Sequence, residues 1–127
     1  MNTVIINLEN ISGPVVAKVT CPQFPQSIAG IIWRYNADQS PDKRAGNFTT
    51  QLSEVPLGTV GTIKDKIFLI EGAVLQQNDN PPTPYQVVVS IVQNGNLIHQ
   101  QIPESGGTGQ LSDKNKAFVY LFNIKTD

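Results

Sequence analysis

Charge is scarce in this sequence. Only 15% of its 127 residues are Asp, Glu, Lys or Arg, against roughly 25% in ordinary soluble domains. The nine basic and ten acidic side chains give a formal net charge of −1 and are spread without a basic stripe. A nucleic-acid partner or an anionic membrane surface therefore has no electrostatic footing here. Cysteine is scarcer still. Cys21 stands alone, so no intramolecular disulfide forms, and its expected role is a small buried apolar residue at a strand end. The only histidine is His99, which leaves acid–base catalysis a single candidate of the usual kind. No apolar run approaches the ~20 residues of a membrane-spanning helix. Met1 to Leu8 lacks the basic start and long apolar stretch of a secretory leader. The expected location is cytoplasmic, or exported without a cleavable signal peptide, and the Asn-X-Ser/Thr triplets at Asn10 and Asn47 then read as chance.

What replaces charge is the neutral polar side chain. Asn, Gln, Ser and Thr fill 38 positions, and amides and hydroxyls hydrogen-bond neutral ligands and partner backbones at a lower desolvation cost than charges do. That composition suits binding and assembly better than acid–base chemistry. At 39% hydrophobic residues over 127, one core is affordable without a metal or disulfide, and the length is that of one domain spanning 1–127.

Helical periodicity is absent. Short β-branched runs recur between Gly, Pro, Asn and Asp, which predicts strands. They are expected over Val4–Leu8, Val15–Cys21, Ser27–Tyr35, Phe48–Leu52, Lys66–Gln76 (with a bulge at Gly72), Tyr85–Gln93, Asn96–Ile102 and Ala117–Ile124. Asn36 to Asn47 reads as a polar excursion and Ser105 to Ser112 as a glycine-rich loop. About eight strands with no helices for crossovers predict an all-β, antiparallel two-sheet sandwich, jelly-roll-like or Greek-key.

Asn94-Gly95 between two apolar runs is the strongest local signal, because a two-residue hairpin turn needs positive φ at both positions. That turn pairs Gln93 with Asn96, Val92 with Leu97, Ile91 with Ile98 and Ser90 with His99. Tyr85, Val87, Val89 and Ile91 then share a core face with Ile98 and Ile102. Several strands are apolar on both faces: Ala29, Ile31, Trp33 and Tyr35 lie opposite Ile28 and Ile32, and Ala117, Val119 and Leu121 opposite Phe118, Tyr120, Phe122 and Ile124. A sheet facing water on one side has only one such face. The second predicts a homo-oligomer joined through an outer sheet face.

Asn36, Asp38, Ser40 and Asp42 place oxygen-bearing side chains at every second position after a strand. Calcium takes roughly six to eight oxygen ligands, so Asp38 and Asp42, joined by Asp79, are the candidates for it. An EF-hand is excluded, with Pro41 where its glycine belongs and Asn47 where its bidentate glutamate belongs. No cofactor is otherwise expected. A sugar site needs an aromatic face for the C–H side of the ring and planar amides or carboxylates for its hydroxyls. Trp33, Tyr35, Asn36, Asp38 and Asp42 in one segment, and Asn78, Asp79, Asn80 and Tyr85 in another, supply those types at strand ends, where β folds carry their sites. Ser90 and His99 form no nucleophile elbow. Ser105 to Gly109 lacks the Lys-Ser/Thr of a phosphate-binding loop, and Glu71 has no partner acid at a fixed spacing.

These residues lead to the expectation of a non-enzymatic, oligomeric, lectin-like module for carbohydrate, with glycans as partners. The alternative is a structural, assembly or toxin-associated β protein with no small ligand.

Overall fold

Val15, Ala17, Val19 and Cys21 alternate with Val16, Lys18 and Thr20 in the sequence, and the structure buries the first set completely. This conversion of period-two patterning into a dry face and a wet face organises the molecule. The structure is a computed structural model and describes residues 3–21, 27–49, 52–75, 83–111 and 114–126. The all-β expectation holds, but the described residues form eleven strands in three sheets rather than eight in two.

The strands are β1 (Thr3–Leu8), β2 (Pro14–Thr20), β3 (Ile28–Tyr35), β4 (Pro41–Phe48), β5 (Leu52–Thr59), β6 (Ile67–Val74), β7 (Thr83–Gln86), β8 (Val88–Gln93), β9 (Asn96–Gln101), β10 (Thr108–Leu111) and β11 (Lys116–Thr126). A single helical turn, α1 (Val60–Ile63), follows β5. Among the described residues no helix is long and apolar enough to cross a membrane. The five-stranded sheet runs β1-β11-β6-β3-β4, the four-stranded sheet β5-β2-β8-β9, and β7 pairs with β10 as a separate ribbon.

Ile6, Leu8, Ile28, Ile32, Phe68, Ile70, Phe118, Phe122 and Ile124 from the larger sheet and Val15, Ala17, Val19, Val89 and Ile91 from the smaller one join one hydrophobic cluster. Each large side chain taken out of water contributes roughly 1.5–3 kcal/mol. One flank of the molecule brings β4 beside β5, where Gly46 faces Val55. The other brings β1 beside β9.

Several expectations are corrected by this topology. β1 pairs with β11 in parallel, because strands from opposite ends of the chain have the whole fold as their connection and need no short helical crossover. Of the strand expected over Phe48–Leu52, Phe48 ends β4 and Leu52 begins β5, with 50–51 outside the described residues, and the polar excursion is mostly β4 itself. β4 and β5 are both sheet edges, where charge, proline and bulges are tolerated because one side needs no partner. β4 carries Pro41, Asp42, Lys43 and Arg44 with two register shifts, and β5 carries Pro56. The expected glycine-rich loop Ser105 to Ser112 also holds β10, and the expected strand Tyr85–Gln93 divides at Val87 into β7, which pairs with β10, and β8.

Gly72 is no bulge, since β6 keeps continuous register with both neighbours there. It lies in a cross-strand row Phe118–Gly72–Gly30–Phe48. The two rings stack over the glycines at 6.3 Å, and a methyl group on Gly72 would come within 2.5 Å of Phe118. The glycines make the floor on which those aromatics lie.

The hairpin turn has positive φ at Asn94 and Gly95 as expected, and Gln93↔Asn96 and Val92↔Leu97 pair as predicted. A register shift then intervenes. Ile91 faces His99, and Ser90 faces Gln100, whose amide donates to Ser90 Oγ at 3.0 Å. An extra residue reverses every later side chain, so Ile98 is only partly buried, Ile102 is exposed, and His99 and Gln101 turn inward.

Candidate functional site

Two of the aromatic residues singled out in the sequence, Trp33 and Tyr35, reach the surface on the sheet face and not on the loops. In β3, Ile28 and Ile32 point to the core, so Trp33 and Tyr35 lie on the outer face and are half-buried there. Register places Trp33 beside Leu69 and then Leu121, and Tyr35 beside Ile67 and then Asn123. Ile31 continues the face beside Glu71. The result is an aromatic and aliphatic strip running across the strands, interrupted by Glu71 and Asn123.

Two adjoining hollows lie along this strip and share Tyr35. One, of about 290 Å³, is walled by Thr3, Gln39, Ile67, Leu69 and Leu121. The other, of about 360 Å³, brings together Trp33, Asp42, Lys43, Arg44 and Glu71. The Arg44 guanidinium lies over the Trp33 ring, 5.9 Å from its centroid. At an exposed position such a contact contributes only about 0.5–1 kcal/mol, so an incoming ring can displace it.

The turn between β3 and β4 is held by its own polar residues. Ser40 donates to Asp38 Oδ1 from its backbone nitrogen at 3.0 Å and from its hydroxyl at 2.6 Å, which lowers the Asp38 pKa. Asn36 Nδ2 donates to Ser40 Oγ at 3.1 Å, and Lys66 Nζ donates to Asn36 Oδ1. Asp42 Oδ2 accepts from Arg34 Nε at 2.6 Å and lies 3.3 Å from Lys66 Nζ. The Arg34 hydrogen bond is the main reason its carboxyl sits below the ordinary value, with burial opposing.

These contacts divide the predicted site. Trp33, Tyr35 and Asp42 come together around one hollow. Asn36 and Asp38 are occupied in the turn. Asp38 and Asp42 hold different partners, and among the described residues no three His, Cys, Asp or Glu side chains converge as a metal site. Tyr85 is buried elsewhere, its hydroxyl donating to the Gly106 carbonyl at 3.0 Å, and burial raises its pKa. Asn78, Asp79 and Asn80 lie outside the described residues. Arg44, Gln39, Leu69 and Leu121 also line the two hollows and were not among the expected candidates. Alternation in β6 and β11 could have placed Leu69 and Leu121 on the same face as Trp33, whereas Arg44 belonged to a segment read as loop.

His99 is not a free base. Its Nε2 meets the Tyr120 hydroxyl at 2.8 Å, and that hydroxyl donates to Gln101 Oε1 at 2.8 Å. Comparison with protein-family models, with curated proteins and with solved structures finds no match.

Proposed function

We propose that this chain is a non-enzymatic carbohydrate-binding protein, lectin-like in its chemistry, with its ligand on the outer face of the five-stranded sheet. On this reading the five- and four-stranded sheets make a β-sandwich of jelly-roll or Greek-key kind, working as a homo-oligomer that gains avidity from repeated shallow sites. The observation that carries it is the placement of Trp33 and Tyr35 two residues apart on one sheet face, around a hollow that also holds Asp42, Arg44 and Glu71. A sugar ring lays its C–H face on the aromatics, while the carboxylates, guanidinium and Gln39 amide meet its hydroxyls. Any calcium contribution would come from Asp38, Asp42 and Asp79 and is secondary.

A glycan array followed by titration calorimetry tests this reading. Binding should fall more than tenfold in Trp33→Ala, a loss of about 1.4 kcal/mol or more. Failure of every glycan at millimolar concentration would remove it. The second reading, an assembly or toxin-associated component without a small ligand, is favoured by the exposed Ile5, Ile11, Leu97 and Ile102. It predicts large assemblies and no response to sugars.

A further inference from the structure

Four large hydrophobic side chains are exposed, and two of them lie on the strands of one flank. Ile5 is on β1, the outer strand of the five-stranded sheet, and Leu97 is on β9, the outer strand of the four-stranded sheet on the same flank. Ile102 directly follows β9, and Ile11 lies in the 9–13 crossover. Gln93 and Pro14 tie that crossover to the end of β8. The opposite flank is charged: β4 carries Asp42, Lys43 and Arg44, and Glu54 of β5 pairs with Lys18 at 3.4 Å. The outer-face residues Ile67, Leu69, Leu121, Trp33 and Tyr35 are all half-buried by one another, so they are not where the driest surface meets water.

The strand edges differ in the same way. An unpaired edge strand is a template for another strand unless charge, proline or a bulge spoils it. β4 has all three, β5 has Pro56 and a register shift against β2, and β9 has the shift after Leu97. β1 has none of them. Its sequence, Thr3-Val4-Ile5-Ile6-Asn7-Leu8, is neutral and unbroken in its register with β11. Among the described residues no strand pairs with its other side.

We infer that β1 is the contact through which two copies of this chain join, antiparallel and edge to edge, in a dimer closed by a two-fold axis at Ile5. The occupant is a second copy because the strand complements itself. Pairing centred on Ile5 puts Ile5 against Ile5, Thr3 against Asn7 and Val4 against Ile6. Side chains directly opposite in a ladder share a face, so the outward side reads polar, Ile, polar on both strands, and the inward side joins Val4 to Ile6 across the junction. A neutral strand carries no like-charge penalty against its own copy, and the two-fold closes, so the contact makes pairs and not fibres. Two five-stranded sheets become one of ten strands, with both Trp33 faces left open. This inference supplies the contact for the oligomer of the proposed function but does not rest on its glycan site, which β1 meets only at Thr3.

Sedimentation velocity on the full chain tests it. The wild type should be a dimer at micromolar concentration. Ile5→Lys and Ile5→Glu should each be monomeric alone, with dimer dissociation constants raised more than about tenfold, and mixing the two should restore a dimer. Leu69→Lys, on the outer face, should leave the dimer intact. Ile5 is 52% exposed, so these variants fold; circular dichroism checks this, and Asn7→Lys is the replacement probe should one not. A monomeric wild type, or a dimer that survives Ile5→Lys and dissociates in Leu69→Lys, would overturn the inference. A glycan that binds wild type and Ile5→Lys equally would leave the binding reading standing if the dimer fails.

Discussion

His99 and Tyr120 meet at 2.8 Å between the two sheets, imidazole Nε2 against phenol oxygen. Because the phenol gives its one proton to Gln101 Oε1, His99 must donate from Nε2, which fixes its neutral tautomer. The pair exists because a one-residue shift between Ile91 and Val92 turns His99 from the outer to the inner face. Tyr120→Phe should therefore cost about 1–3 kcal/mol in urea unfolding, the penalty for leaving buried partners unsatisfied. Burial pushes the phenol up to about 12 from an ordinary 10.0. The folded state thus favours the neutral phenol. Its contribution is complete below pH 10.0 and is lost as pH rises towards about 12. Tyrosinate absorbance should show a late-titrating phenol in wild type that is missing in Tyr120→Phe, whose stability falls less steeply over that window.

The glycine row under Phe48 and Phe118 gives a prediction of opposite kind, addition in place of removal. Gly72→Ala puts a methyl 2.5 Å from the Phe118 ring and should cost about 1–3 kcal/mol by overpacking. Phe118→Leu removes the obstructing ring, so Gly72→Ala should lose most of its cost in that background. Additive costs in a double-mutant cycle would show that the strain lies in the backbone instead. Gly30→Ala meets the Glu71 carbonyl as well as the Phe48 ring, and should be the harsher substitution.

Legibility followed local physics. Asn94-Gly95 could be read because two successive positive φ values restrict the residues that fit, and β11 could be read because Phe118, Tyr120, Phe122 and Ile124 all fall on one parity and are all buried. β4 and β5 were hidden because an edge strand pairs on one side only, so Asp42, Lys43, Arg44 and Pro56 do not forbid it. The shift after Leu97 was invisible because one extra residue changes parity without changing composition. Parallel pairing of β1 with β11 depends on the path of the whole chain and leaves no local mark. Trp33 and Tyr35 were singled out by residue type and nearness to a loop, yet their parity in β3 decided where they point.

Gln93 is 1% exposed and acts as a piece of backbone. Its Oε1 accepts from the Glu9 nitrogen at 3.0 Å, and its Nε2 donates to the Glu9 oxygen at 2.6 Å. This clamp fixes the chain where it crosses from β1 to β2, between the two sheets. Gln93→Leu keeps the volume and removes both bonds, so it should cost about 1–3 kcal/mol. Hydrogen exchange should speed at Glu9 and along β1 before it speeds in β11. A uniform change across all strands would mean that the clamp does not act locally.

The turn chemistry predicts a measurable acid titration. Asp42 lies below its ordinary 3.8 chiefly because Arg34 donates to it, with Lys66 adding less. A carboxylate whose folded pKa is depressed stabilises the fold above its unfolded value, and that contribution disappears as pH falls through the folded pKa. Carbon NMR of the carboxyl should therefore show Asp42 titrating below 3.8. Arg34→Met should move it up further than Lys66→Met does. Both shifts should shrink in molar salt, since the Arg34–Asp42 pair is open enough to water for ions to screen it. If Lys66→Met had the larger effect, the 2.6 Å contact from Arg34 would not be the bond that holds this turn.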